Sequence, residues 1–165
     1  AVGAVIVVSD DQAVRAQAEA LGAEVIPDVA GRGLNEALTA GAEHAVQRWP
    51  ERGVAALTAD LPALSASELT AALAEAGRHS QAFVPDAAGS GTTLYTAAPR
   101  AVFRPLFGPQ SRTRHRLAGA AELNLPGIGG LRRDVDTLAD LGAAERIGLG
   151  EKSLAVRETI RRRSA

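Results

Sequence analysis

"GVAALTADLPAL", residues 53–64, drives an apolar run from Val54 to Leu57, then sets Asp60 at its mouth and follows it directly with Leu-Pro. An ionised carboxylate gains nothing inside a buried strand, because dehydrating it is costly unless a partner compensates. The stretch therefore reads as a strand that delivers Asp60 to its carboxyl end, where open α/β sheets place their ligands. A second acidic stretch, "RRDVDT" at 132–137, supplies the candidate companion carboxylates.

Outward from this strand the pattern alternates. "AVIVVSDD" at 4–11 reads as a fully buried strand, "DQAVRAQAEALG" as a helix stopped by Gly22, and "AEVIPDV" as a strand ended by Pro27. "GRGLNEALTAGAEHAVQRWP" carries Leu34, Leu38, Ala42, Ala45 and Trp49 on one stripe of 3.6-residue period, the mark of an amphipathic helix. "SASELTAALAEAG" opens on a capping box, Ser65 to Glu68. "QAFVPD" and the segment after "AAGSG" read as two further strands, "SRTRHRLAG" as a helix, "GLRRDVD" as a last strand and "TLADLGAAERIG" as a helix begun by Thr137. Residues 151–165 read as a weak terminal helix. Strands alternating with helices imply a doubly wound, mostly parallel sheet with helices on both faces, of the Rossmann type.

Composition bounds the function. The 165 residues are 46% hydrophobic with a net charge of −1, which suits one domain with a core and argues for neither a nucleic-acid nor a membrane surface. No apolar run approaches the ~20 residues needed to cross a bilayer. With no cysteine there is neither a disulfide framework nor a thiolate metal site, and the cytoplasm is the default compartment. All but one of the 18 basic residues are Arg; the exception is Lys152.

Three constellations carry chemistry. Read as strand residues two apart, Asp134 and Asp136 face the same side, and with Asp60 they form an oxygen-only site of the kind Mg²⁺ prefers. The plain alternatives are that Asp136 or Thr137 caps a helix and that Asp60-Leu-Pro is a turn. "GSGTT" at 89–93 is either a hairpin turn or an anion-binding nest with Thr92 and Thr93 as donors. "FGPQSRTRH" at 107–115 adds a turn at Gly108 and a helix start at Ser111 that suits a phosphate. Arg112, Arg114 and Arg116 add charge or form a solvated face. His115, in a cationic setting, is structural or phosphate-binding, and His44 and His79 carry no clear chemistry. Asn35 is either an N-cap or a reader of a base.

"GLNEALTAG", "TADLPAL", "FVPDAAGSGTTLY", "FGPQSRTRHRLAG" and "RRDVDTLADL" occur here in the order in which similar motifs occur in the phosphoenolpyruvate and 2-phospho-L-lactate guanylyltransferases, which serve coenzyme F-420 synthesis. The resemblance runs from about residue 4 to 147, and "ADLPAL" and "DVDT" resemble the wider superfamily, including the molybdenum-cofactor guanylyltransferases. It implies a nucleotidyltransferase fold and transfer of GMP from GTP to a small phospho-acid, with pyrophosphate released. The Arg-for-Lys and Ala-rich bias points to a high-GC bacterial source, for which the resemblance implies phosphoenolpyruvate over 2-phospho-L-lactate. By matching position it implies Mg²⁺ on Asp60 and Asp134, with Asp136 as a ligand not separated from Asp134. Thr92, Gly108 and Ser111 would grip the acceptor phosphate, Asn35 would contact guanine with Gly33 allowing close approach, and Asp86 would brace the glycine turn or meet substrate. A downstream transferase would take the product. Readings from other classes are a molybdenum-cofactor or sugar-phosphate nucleotidyltransferase and, from "VVSDD", a receiver-like phospho-accepting module, which needs a Lys at a later strand end.

One departure shapes a further expectation. The family opens on a strand and a Lys/Arg-bearing nucleotide loop, and no matching stretch precedes "AVIVVSDD". Residues 1–165 are thus expected to be a single domain that is N-terminally incomplete, with a slot for a central strand between "AVIVVSDD" and "GVAALTAD".

Overall fold

A computed structural model describes residues 2–28 and 33–163. In chain order the elements are β1 (Ile6–Val8), α1 (Gln12–Ala20), β2 (Glu24–Ile26), α2 (Leu34–Arg48), β3 (Val54–Leu57), α3 (Ala66–Ala76), β4 (Gln81–Pro85), β5 (Thr92–Ala97), α4 (Ser111–Leu117), β6 (Ala121–Glu122), α5 (Gly129–Arg132), α6 (Leu138–Ile147) and α7 (Glu151–Arg163).

The larger sheet has the order β3-β5-β4-β6. β5 runs antiparallel to both β3 and β4, and β6 runs parallel to β4, so β3, β4 and β6 share one direction and β5 alone opposes it. The period of two divides the side chains between two cores. Ala82, Val84 and Leu94 join Ala72, Ala76 and Leu131 on the side of α3 and α5, whereas Ala56, Phe83 and Tyr95 meet Phe107, Ala120 and Leu38 of α2 on the other. Helices on both faces and strands of predominantly one direction are the α/β architecture the pattern implies.

β1 and β2 form a separate parallel pair. β1 is half-buried, not fully buried as its apolar run suggests. Among the described residues it pairs with β2 and β3 pairs with β5; no β1–β3 ladder joins the two sheets. α2 packs on both β1 and β3, and its Gly41 comes so close to Val8 that a Cβ there would lie 3.1 Å from the Val8 side chain.

The expected last strand at "GLRRDVD" is corrected. Residues 129–132 form one helical turn and 133–137 are irregular. Gly130 explains it: a Cβ would run into the Ala63 carbonyl, and its N–H donates to Glu68 Oε1 at 2.7 Å. With its donors taken by such single contacts, the segment makes no ladder. The two caps read from sequence hold. Ser65 and Glu68 cap α3 reciprocally, and Thr137 and Asp140 do the same for α6. The short β6 carries no signal that sequence patterning would detect; it exists because Ala121 and Glu122 find β4.

Candidate active site

The carboxyl ends of β3 and β4 face the irregular segment after α5. Val135 donates its N–H to the carbonyl of Asp60 at 3.1 Å, and Ala87 donates to the carbonyl of Arg132 at 2.7 Å. The Arg132 guanidinium reaches back, with Nε donating to Pro85 O at 3.1 Å and Nη2 to Asp86 O at 3.0 Å. Three segments distant in sequence are thereby fastened together, and each carries a carboxylate: Asp60, Asp86 and the Asp134/Asp136 pair.

Asp60 is exposed, which answers why a strand should end on it: the carboxylate stays in water. Asp134 is half-buried, and burial pushes its carboxyl above the usual range, with the charges of Asp86, Asp60 and Asp136 adding to the rise against a local backbone hydrogen bond. These groups therefore sense one another. Even so, among the described residues no three acidic or histidine side chains converge as a ready metal cage. Mg²⁺ needs only one or two carboxylates, with waters and substrate phosphate completing its sphere, so the oxygen-only donor set fits that ion. Thr137 is the cap of α6, so neither Asp134 nor Asp136 is used for capping. The same-face reasoning for that pair does not survive, since they lie on no strand. Their proximity comes from the loop. Leu64 N–H closes a turn on Leu61 O at 3.1 Å, so the turn reading of "DLPAL" also holds and leaves the Asp60 side chain outside it.

Asp86 braces the glycine turn. Its carboxylate accepts from Ser90 N–H at 2.9 Å and Gly91 N–H at 2.8 Å, and a Cβ on Gly91 would strike that carboxylate. Arg112 also holds the turn, donating to Gly89 O at 3.0 Å while pairing with Glu122 at 2.7 Å. Arg112 is thus a structural brace.

Beyond the turn, β5 places two hydroxyls. Thr92 Oγ1 lies 3.0 Å from His115 Nδ1, and Leu106 N–H donates to His115 Nε2 at 2.9 Å. A neutral ring that accepts at Nε2 carries its proton on Nδ1, so Thr92 Oγ1 accepts there and keeps its own proton to donate. His115 is fully buried and stacked on Tyr95 at 4.7 Å. Burial pushes its pKa down to about 4, the Arg114 charge adds to that, and a hydrogen bond to the Ser111 backbone opposes it. The structural reading of His115 is the correct one. Thr93 is buried too, yet its hydroxyl and that of Thr58 have no partner among the described residues.

Residues 1–123 match the family described as a MobA-like NTP transferase domain. A phosphoenolpyruvate guanylyltransferase of Thermomonospora curvata is 51% identical over 156 residues, covering 94% of this chain and 68% of that protein. Its namesake from Streptomyces coelicolor is 49% identical, covering 94% of this chain and 74% of the other. One from Frankia casuarinae is 54% identical over 134 residues, covering 79% and 46%. The chain belongs to the phosphoenolpyruvate guanylyltransferase family. It is an enzyme, a nucleotidyltransferase.

In this guanylyltransferase-family chain the residues singled out from sequence fall into two groups. Asp60, Asp134 and Asp136 share the end of the sheet, whereas Thr92 and Ser111 are buried and Gly108 turns with φ +107° between β5 and α4. Ser111 is the first helical residue and not the cap; Gln110, in a left-handed conformation at φ 57°, holds that position without a side-chain bond. Gly33 caps α2 with φ +96°, so the capping alternative for Asn35 is corrected. Residues 29–32, which lead into Gly33, lie outside the described residues. Arg132 and Thr58 were not separable from their neighbours by pattern; only their contacts, or lack of them, mark them out. No helix among the described residues is long and apolar enough to cross a membrane.

Proposed function

We propose that this enzyme transfers GMP from GTP to the phosphate of a small phospho-acid, phosphoenolpyruvate first and 2-phospho-L-lactate next, in the synthesis of coenzyme F-420. Support for guanylyl transfer comes from the names of the relatives; the structural observation that carries the reading is the Val135-to-Asp60 bond, which binds the second acidic stretch to the first. In this reading Asp60 and Asp134 hold Mg²⁺, with Asp136 beside them. When bound, that ion neutralises charge on the phosphates and positions them. Thr92, Gly108 and Ser111 hold the acceptor phosphate, and the partnerless Thr93 hydroxyl adds a donor. The guanine lies toward Gly33 at the start of α2.

An oxygen of the acceptor phosphate attacks the α-phosphorus of GTP. The bond from that phosphorus to the bridging oxygen breaks, and pyrophosphate leaves with the electron pair. No proton has to be removed from the nucleophile, because a phosphate oxygen is anionic near neutral pH. Positioning and charge therefore supply the acceleration, which agrees with a site whose histidine is buried and neutral.

The test is product analysis with GTP and, separately, phosphoenolpyruvate, 2-phospho-L-lactate, 3-phosphoglycerate and sugar phosphates. Pyrophosphate release with phosphoenolpyruvate is expected. Release with sugar phosphates alone would replace this reading by the sugar-nucleotide one.

A further inference from the structure

The stretch 102–107, which leads into Gly108, belongs to no helix or strand. Its backbone is held by side chains instead. Gln81 donates to Val102 O at 2.6 Å, Leu106 N–H donates to His115, and Arg114 Nη2 donates to Leu106 O at 2.9 Å and Phe107 O at 2.6 Å. Arg104 N–H donates to the Tyr95 hydroxyl at 3.4 Å, and a further tie comes from α2. Asn35 Nδ2 donates to Phe107 O at 3.1 Å, and Phe107 N–H donates to Asn35 Oδ1 at 2.8 Å.

One primary amide satisfying both the backbone N–H and the backbone C=O of one residue is a two-point clasp, fixing position and orientation together. Asn35 is half-buried, and both ends of its amide are used this way. Gln81, Tyr95, His115 and Arg114 come from β4, β5 and α4. Asn35 alone among these side chains comes from α2, whose first turn begins at Gly33. The residue it grips, Phe107, is joined directly to Gly108.

We propose that Asn35 is a positioning residue for the acceptor: it locks the Phe107 backbone on both sides of its Cα so that the 108–111 turn holds its phosphate-binding shape, and it does not read the base. The proposal rests on the acceptor reading of that turn given above. It also makes α2 a mechanical link between the nucleotide side and the acceptor side.

The experiment compares Asn35→Ala and Asn35→Asp with the wild-type enzyme, using GTP and phosphoenolpyruvate. Asn35→Ala is expected to raise the acceptor KM by about tenfold while the GTP KM moves less than about twofold. Asn35→Asp keeps the acceptor for Phe107 N–H but sets a carboxylate oxygen against Phe107 O in place of the donor, so a rise at least as large is expected. Hydrogen exchange at the Phe107 amide should quicken in Asn35→Ala, a readout that does not depend on turnover. A rise confined to the GTP KM, or lost discrimination between GTP and ATP, would return Asn35 to base recognition and overturn the proposal. Wild-type transfer with both variants unchanged in acceptor KM would overturn it alone. Absence of wild-type transfer to either phospho-acid would overturn the acceptor reading, and this inference with it.

Discussion

Val135 N–H and the Asp60 carbonyl are 3.1 Å apart, so the backbone itself ties the acidic loop after α5 to the end of β3. Burial first, and the charges of Asp86, Asp60 and Asp136 after it, make Asp134 hold its proton more tightly than usual. Asp134→Asn should therefore leave the fold intact, with a Tm equal to or above that of the wild type, since it removes one charge from a crowded set. Guanylyl transfer should fall by orders of magnitude in Asp134→Asn and in Asp60→Ala. Thermal melts with and without Mg²⁺ check the other half: the ion should raise the wild-type Tm and leave both variants unmoved. Near-normal transfer by Asp60→Ala would sink the metal assignment.

Gly130 sits where α5 presses on the turn after Asp60. A Cβ there would meet the backbone carbonyl of Ala63 and come within 2.7 Å of the Glu68 carboxylate. A carbonyl cannot swing aside as a side-chain end can. Gly130→Ala is expected to destabilise by about 1–3 kcal/mol, the usual range for overpacking, and to weaken the Mg²⁺-induced rise in Tm by moving the Asp134 segment. Chemical denaturation measures the first effect; an unchanged midpoint would mean that α5 has room to retreat.

His115 predicts an acid limb. The folded protein keeps the ring neutral down to about pH 4, whereas an exposed imidazole takes its proton near 6.5. Between those values the unfolded chain binds the extra proton, so stability is complete above 6.5 and declines as pH falls toward 4, by roughly 3 kcal/mol in total. Urea unfolding of wild type and His115→Gln at pH 7 and pH 4.5 isolates the contribution: the variant should be less stable at pH 7 and should lose less on acidification. Equal losses in the two proteins would refute the buried-neutral assignment.

The alternation of strands and helices, the Ser65 and Thr137 caps and the placement of Asp60 at a strand end were legible because each is a local property of the chain. The segment 129–137 was misread because "GLRRDVD" has no partner strand, and Gly130 fits against Ala63 only once α3 is in place. Asn35 was read as a cap or base reader; its bonds to Phe107, 72 residues away, are beyond the reach of any local pattern. His115 looked cationic among its neighbours in sequence, yet the fold gives it Tyr95, Phe83 and Phe107 as its walls. Arg114 likewise seemed a surface residue, and it is one that also holds the carbonyls of Leu106 and Phe107.

The hydroxyls of β5 and α4 give the last expectation. Thr92 Oγ1 accepts from His115 and has one proton left to donate, whereas Thr93 Oγ1 is buried with no partner among the described residues. A buried hydroxyl is seldom left unpaired without a ligand or water to meet it. Ser111→Ala and Thr93→Val should each raise the acceptor KM several-fold with little change in the GTP KM, because they remove donors to a phosphate and touch nothing on the base. Thr92→Val should do the same and also lower stability, by less than the roughly 1–3 kcal/mol of a fully orphaned group, because the buried Nδ1–H of His115 loses the hydroxyl and keeps the Ser111 backbone. Thr92→Ser restores both partners and should recover most of each loss. Arg116→Ala, an exposed residue outside the turn, serves as the control and should leave both KM values near wild type. Initial-rate kinetics on the five variants decide the matter: effects confined to GTP would move these hydroxyls to the nucleotide, and a Thr93→Val enzyme indistinguishable from wild type would leave Thr92 and Ser111 as the acceptor's donors.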